Sequence, residues 1–271
     1  MIETEICGDR PLSAKLRLVY LWRNARRNCA LSAWRSGVTA RPLFADSLGS
    51  WNLQSPSRFL TDVFFERELP KIFPPNRATN VVEIGCGSGS LARRLAHAGF
   101  GGTYTGIDIG NRFGRDFGEK FPFDVTFIQG DVHDYTPAVP IDLLISVSAL
   151  EHIADDNVVL ARLATHMRPG GMEIHVVPSA AALYAYLWHG YRQYTPRALV
   201  ERLGNGITLW KLGGAGTFAV HLTTITIPEL LLGFPLRRRL PGLYGRLARI
   251  GAALDHVLPF APTAYLVVRR H

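Results

Sequence analysis

Three glycines at alternate positions, Gly85, Gly87 and Gly89, follow the apolar run Val81-Val82-Glu83-Ile84 and lead into a helical pattern that opens near Leu91. The spacing predicts a buried strand turning tightly into a helix N-terminus. A Cβ in such a turn would hold a ligand away from the backbone at the strand end. The helix that follows offers unpaired N–H groups and the positive end of its dipole, suited to a carboxylate or phosphate. The spacing is G-x-G-x-G, and Ser90 stands where the dinucleotide pattern G-x-G-x-x-G has its third glycine.

Other side chains that could do chemistry fall at the ends of later apolar runs. Asp108 follows Gly89 by nineteen residues. A carboxylate there can accept both hydroxyls of a ribose diol, or be a solvated strand-end acid. Asp131, after Gly130, could meet an adenine amino group or belong to a turn. Ser148 ends a further run. His189 has the ordinary pKa for a general base at neutral pH, or makes a structural hydrogen bond that holds its loop. Tyr184, Trp188, Tyr191 and Tyr194 surround it in sequence and wall an acceptor pocket or form the core of that connection.

The elements that must carry these residues alternate regularly. Strands are predicted at Val81–Ile84, Thr103–Ile107, Val125–Gln129, Leu143–Val147 and Glu173–Val177, with helices at Ser90–Ala98, about Arg112–Lys120 and around Asn157–Met167. Short β-rich runs between helices imply βαβ units and a mostly parallel sheet, where ligands bind at the carboxyl ends of the strands. Before them, a helix is expected over about Leu12–Arg35, with Leu18, Leu21, Trp22, Ala25 and Cys29 as its apolar face. It is either an amphipathic helix on a membrane surface or an accessory helix packed on the domain. Ser36–Ser57 reads as loop, and Ser57 caps a helix that Pro70 ends or soon follows. Thr195-Pro196 opens another helix, Ile207–Leu212 is a strand, and about 213–262 is an appendage with helices at Pro228–Phe234 and Leu243–Val257. Thr263–Arg270 reads as a final strand.

The chain has 271 residues and 47% hydrophobic content, enough for one large domain with appendages. Its three cysteines, Cys7, Cys29 and Cys86, form no C-x-x-C pair and fit a reducing, cytoplasmic setting. Acidic residues Glu3, Glu5 and Asp9 precede any apolar run, so no signal peptide is expected. The net charge of +8 is carried by the ends: residues 1–43 hold 8 Lys/Arg against 3 acids, and 228–271 hold 7 against 2. A nucleic-acid binder would be basic throughout, so none is expected as partner. Basic flanks on a neutral body suit an anionic partner, such as a lipid headgroup or a phosphorylated acceptor. The run Leu236–Leu240, continuing to Leu254, is likewise a membrane-surface helix or a cap with a solvated arginine cluster.

Glu83-x-Gly85-x-Gly87-x-Gly89, Asp108, Gly130-Asp131, Ser148-Ala149-Leu150-Glu151-His152 and Arg168-Pro169-Gly170-Gly171, in that order, resemble the class I S-adenosylmethionine-dependent methyltransferases. The set is similar, more narrowly, to the ubiquinone and small-molecule methyltransferases, over roughly Asn76 to Gly213. The resemblance implies a Rossmann-like three-layer α/β sandwich. Its seven-stranded, mostly parallel sheet would have an antiparallel last strand, with N-terminal helices over 1–75 and a methyltransferase domain over 76–271. S-adenosylmethionine is the implied cofactor. Gly85, Gly87 and Gly89 would admit its methionine part, Glu83 would face the amino group through water, and Asp108 would hold the ribose. Asp131 and the Val132 backbone would read adenine, and Ser148 would line the cleft near the sulfonium. Trp188-His189-Gly190-Tyr191-Arg192-Gln193-Tyr194-Thr195-Pro196 resembles the His-x-x-x-x-Tyr/Phe-Thr/Ser-Pro segment of glycan and natural-product methyltransferases. Some relatives bind a divalent metal through Glu-x-x-Glu-His; Ser148 occupies the first position here, so no catalytic metal is expected.

The expected activity is methyl transfer to an oxygen of a small molecule or saccharide, lipid-linked in one version, with His189 as base. C- or N-methylation of a quinone or polyketide-like acceptor, a non-catalytic cofactor-binding module and a nicotinamide-dependent oxidoreductase are the alternatives. Ser90 and the Pro-Gly-Gly turn speak against the last.

Overall fold

The computed structural model describes residues 6–44, 53–77, 80–113 and 122–271. Among them, eight strands form one sheet: β1 (Ala40–Leu43), β2 (Asn80–Ile84), β3 (Gly102–Asp108), β4 (Phe123–Gln129), β5 (Ile141–Val147), β6 (Met167–Pro178), β7 (Ile207–Leu212) and β8 (Ala264–Arg270). Their order is β1-β7-β8-β6-β5-β2-β3-β4. β8 runs antiparallel to both neighbours, β6 and β7, and every other pairing is parallel. The chain steps outward from β2 to β3 and β4, then returns to place β5 on the other side of β2. The strand order therefore reverses at β2, and the crevice opens at its carboxyl end.

The strands form where the sequence is β-branched and apolar. All five residues of β2 are buried, as a strand covered on both faces requires. On one face Leu60, Phe64, Phe65, Leu91 and Leu95 pack against Val81, Leu143, Ile145 and Leu266. On the other, Val159 and Leu163 pack against Val82, Ile84, Ile107 and Leu144. This gives helix, sheet and helix layers. Among the described residues the helices include α1 (Ala14–Cys29), α2 (Pro56–Val63, continued by Leu69–Ile72), α3 (Ser90–His97), α4 (Asp156–Ala164), α5 (Ala182–Tyr186), α6 (Pro196–Leu203), α7 (Ala215–His221), α8 (Leu236–Arg239) and α9 (Pro241–Asp255).

Several expectations are corrected. The sheet has an eighth strand, β1, inside the stretch expected to be loop; it is a short edge strand carrying Pro42, held by its register with β7. α1 buries Tyr20, Asn24 and Asn28, while Leu18 and Trp22 stand 69% and 60% exposed. Its dock is polar: the Tyr20 hydroxyl donates to the His189 carbonyl at 2.7 Å and accepts from Gln193 Nε2 at 2.9 Å. Ser55, not Ser57, precedes α2, and the helix runs past Pro70 to Ile72. A wide π turn over Phe64–Glu68 restarts the ladder, so Pro70 falls in a first turn where its missing N–H costs nothing. In the appendage, Pro228 lies inside a π-helical continuation of α7, Leu222–Leu231, rather than at a helix start. α7 and α9 meet at glycines; a Cβ on Gly216 would lie 2.2 Å from the Gly251 carbonyl oxygen. The helix expected at Arg112–Lys120 falls largely outside the described residues. Among the described residues no helix is long and apolar enough to cross a membrane.

Candidate active site

The turn after β2 brings Gly85, Gly87 and Gly89 into left-handed conformations, with φ of 68°, 54° and 73°. The Gly85 and Cys86 amides both donate to the Ile107 carbonyl, at 2.8 and 3.1 Å, binding the turn to the end of β3. A Cβ on Gly85 would lie 2.4 Å from Ala149 Cβ, whereas one on Gly87 would meet nothing within 4 Å. Gly85 therefore permits the loop after β5 to come close, and Gly87 leaves open space where the backbone faces a cleft of about 820 Å³. That volume lies within the ordinary range for a small-molecule site. Helix α3 starts at its floor.

Around this cleft stand most of the strand-end residues. Glu83 is buried on β2 and accepts a hydrogen bond from the Tyr104 hydroxyl. Burial pushes its carboxyl up to about 8, against the opposing effects of that hydrogen bond and of Arg58. Asp108 ends β3; its Oδ2 accepts from the Gly87 amide at 2.8 Å and its Oδ1 from Gly110 at 2.7 Å. It thus braces the glycine turn and keeps lone pairs for a ligand. Asp131 caps a short 3-10 turn and accepts from the His133 amide at 2.9 Å and its ring Nδ1 at 2.6 Å. These bonds, the backbone one foremost, hold its carboxyl below the usual range. His133 reaches Asp155 on its other nitrogen at 2.7 Å, so three side chains edge the cleft beside Val132. Sequence reasoning missed His133. Ser148 adopts φ 53°, unusual for a side chain with a Cβ, while its amide donates to the Val176 carbonyl at 2.8 Å. Such strain is commonly stored at functional sites.

At the far end the residues divide. Of the four aromatic residues singled out, Tyr191 lines the cleft. Tyr184 is 51% exposed, and Trp188 carries the Arg17 guanidinium 4.8 Å from its ring centroid. Tyr194 is wholly buried and donates to Asp156 Oδ2 at 2.7 Å; it is a core residue, not a wall of the cleft. Asp156 also receives Arg192 at 2.5 Å and Arg202 at 2.8 Å, fastening the aromatic segment to α4.

His189 is not among the described residues that line the cleft; His152 is. The two rings stand edge to face, 4.7 Å apart at an interplanar angle of 87°. Asp9, from the N-terminal segment, lies 2.8 Å from His152 Nδ1 and 3.4 Å from His189 Nδ1. Glu151, 1% exposed, lies 3.5 Å from His189 Nε2 and 3.9 Å from His152 Nε2. Burial works against a charged His189, but the hydrogen bond and charge of Glu151, with Asp9 behind them, outweigh it and hold its pKa above the ordinary value. The expectation of no metal had rested on Ser148, which lacks a carboxylate; Asp9 comes to this place from far away in the chain. No local pattern points to Asp9, while His152 was legible beside Glu151.

The family model described as "Methyltransferase domain" matches residues 81–171. A trans-aconitate 2-methyltransferase from Deinococcus radiodurans is 33% identical over 167 residues. The alignment covers 62% of this chain and 62% of that protein, so the chain spans less than two thirds of the relative's length. A solved coclaurine N-methyltransferase, bound to N-methylheliamine and SAH, superposes with a TM-score of 0.52 at 11% identity, covering 97% of this chain and 89% of that one. The [4+2]-cyclase SpnF superposes with a TM-score of 0.52 at 15% identity, covering 96% of each. One of these is a methyltransferase and the other a cyclase, so their likeness concerns the fold and leaves the reaction to the site.

Proposed function

Because the chain carries a class I S-adenosylmethionine-dependent methyltransferase domain, we propose that it moves a methyl group from S-adenosylmethionine to an oxygen of a small anionic acceptor. The observation that carries this reading is the cleft itself: a buried carboxyl, Glu83, and a loop-bracing carboxylate, Asp108, meet at one glycine turn. Glu83 would face the ammonium of the methionine part and Asp108 the ribose diol. Asp131, held by His133, and the Val132 backbone would border the adenine, and Ser148 the sulfonium.

When bound, the cofactor supplies a methyl group already activated for in-line displacement. The chain is left to position the acceptor and take up its proton. The acceptor would enter past Tyr191 and His152, and its oxygen would lose its proton at the cluster of Asp9, Glu151, His152 and His189. A second groove of about 490 Å³ shares Tyr191 and is lined by Arg23, Arg26 and Arg27 of α1. It would receive the anionic part of the acceptor, a carboxylate or an acidic sugar. A relative named for trans-aconitate supports a small acidic acceptor. The lipid-linked version is favoured by Leu18 and Trp22, exposed on α1 among basic side chains.

Glu83 gives a direct test of cofactor binding. A folded pKa near 8 means that the carboxyl is mostly protonated at pH 7. An ammonium group arriving beside it would ionise it, so binding at pH 7 should release a proton, and the release should shrink as the pH rises past 8. The sign follows from a raised folded value: the proton is held below pH 8 and is already lost above it. Calorimetry in buffers of different ionisation enthalpy measures the release, and Glu83→Gln should abolish it. Release unchanged in that variant would remove Glu83 from the ammonium site.

The reaction is tested by S-adenosylhomocysteine release in the presence of small acids. His152→Ala and His189→Ala should each lower turnover about a hundredfold while leaving cofactor affinity within about twofold. Full activity in His189→Ala would clear that residue of any part in deprotonation. Binding of NAD in place of S-adenosylmethionine would overturn the reading as a whole. Cofactor binding without release on any acid would favour a non-catalytic module.

A further inference from the structure

We infer that Asp9, His152 and His189 form a site for a divalent first-row transition-metal ion at the acceptor end of the cleft, with Glu151 as its supporting carboxylate. One ligand-capable atom from each of Asp9, His152 and His189 lies within 4.8 Å of the others. The Nδ1 atoms of both rings face the Asp9 carboxylate, at 2.8 and 3.4 Å. Two imidazole nitrogens and one carboxylate oxygen converging on a point are a ligand set for zinc, cobalt, manganese or iron in the divalent state. Magnesium and calcium prefer oxygen donors throughout.

Glu151 supplies an independent reason. It is 1% exposed, and its Oε2 has no hydrogen-bond partner. Its Oε1 faces the Nε2 atoms of the same two rings. Metal-ligating histidines usually donate their second ring N–H to a carboxylate, which fixes the tautomer and orients the ring. Here one carboxylate oxygen stands behind both rings, 3.5 Å from His189 Nε2 and 3.9 Å from His152 Nε2, close enough to take up that role once an ion draws the rings into place. Asp9 and Glu151 each pair with both His152 and His189.

The backbone is shaped to bring Asp9 to this place. The Gly190 amide donates to Asp9 Oδ2 at 3.0 Å, and the Gly8 amide donates to the Gly190 carbonyl at 2.7 Å. A Cβ on Gly8 would lie 2.5 Å from the His189 nitrogen, so only glycine lets the N-terminal segment lie against this loop. Asp9 and His152 are 37% and 38% exposed and His152 lines the cleft, so the site is open to solvent, as in catalytic rather than structural metal sites.

The role of the ion rests on the methyl-transfer reading; its binding does not. With the ion bound, an acceptor hydroxyl there would be acidified and would pass its proton within the cluster to Glu151, the member that does not ligate the ion; its oxygen would then form its bond to the methyl carbon as the carbon–sulfur bond breaks and the electron pair leaves on sulfur.

The test uses the full chain, stripped with a chelator and titrated with Co²⁺, followed by visible absorption and calorimetry, with Zn²⁺ as competitor. The wild type should take up one equivalent and develop ligand-field bands that Zn²⁺ removes. His152→Ala and Asp9→Asn should weaken binding at least a hundredfold, and Glu151→Gln ten- to a hundredfold. S-adenosylhomocysteine affinity, measured in parallel, reports that each variant is folded. Asp9→Asn lies on an exposed segment and keeps its shape, so it serves if the buried changes do not fold. Cobalt binding equal in the wild type and in Asp9→Asn overturns the proposal, as does a wild type that binds S-adenosylhomocysteine but no cobalt. Cobalt bound through these residues without cofactor binding would leave the metal site standing and remove the methyl-transfer reading.

Discussion

Asp108→Ala is expected to raise the dissociation constant for S-adenosylmethionine by a hundredfold or more. Two losses combine. The ribose diol loses a charged acceptor, worth about 1.5–3 kcal/mol for each hydrogen bond made to it. The glycine turn also loses the brace formed by the Gly87 and Gly110 amides, at 2.8 and 2.7 Å, so those donors must find water. About 3 kcal/mol is already more than a hundredfold in affinity. Asp108→Asn should fall between, since it keeps one acceptor oxygen while turning an amino group towards an amide that also donates. Calorimetric titration decides the matter: an affinity unchanged in Asp108→Ala would sink the assignment of this cleft to the cofactor.

Asp156→Ala should destabilise the fold by about 3–5 kcal/mol, the usual cost of leaving one partner of a buried pair behind. Asp156 is wholly buried and takes Arg192 at 2.5 Å, Tyr194 at 2.7 Å and Arg202 at 2.8 Å. Without it the Arg192 guanidinium, 4% exposed, loses the Asp156 carboxylate while the carbonyls of Ile153 and Ala154 stay beside it. For a chain of this size the loss corresponds to a melting temperature lower by roughly 10 °C. Arg202→Ala, which removes a partly exposed side chain, should cost only about 1 kcal/mol. Thermal denaturation distinguishes the two. A loss below about 1 kcal/mol in Asp156→Ala would mean that apolar packing, not this network, fastens the segment. Turnover should suffer as well, because the network ties the chain just after His152 to the chain just after His189.

The cleft beside the glycine turn was legible because its determinants are local. The run Val81–Ile84, the glycines after it and the acids at Asp108 and Asp131 are each specified within a few residues, and the strand-end rule then gathers them. The cluster of Asp9, Glu151, His152 and His189 draws on residues far apart in the chain, and local pattern cannot bring them together. Asp9 meets His152 across 143 positions. Tyr194 stayed open between wall and core because aromatic density is ambiguous; the buried Asp156 that claims its hydroxyl is equally ordinary in sequence. The face of α1 was misjudged for a related reason. Leu18 and Trp22 have helical spacing, but so do Tyr20, Asn24 and Asn28, and three hydrogen-bonding side chains at intervals of four were the clue to a polar dock. Ala40–Leu43 is too short to read as a strand, carries a proline and has no β-branched or aromatic residue, until β7 lies beside it.

The position of β8 bears on how the chain assembles during synthesis. It fills the gap between β6 and β7, although translation produces it after both. While residues 264–270 are still inside the ribosome, β7 and β1 have no route into the sheet, and β6 presents a long unpaired edge. The nascent protein must therefore expose that edge for the time taken to add the appendage and the last strand, the period in which stray strand pairing is most dangerous. The strands bearing the glycine turn, Asp108 and Ser148 all leave the ribosome earlier. A cofactor taken up at that stage would stabilise the half-built sheet until its final strand arrives.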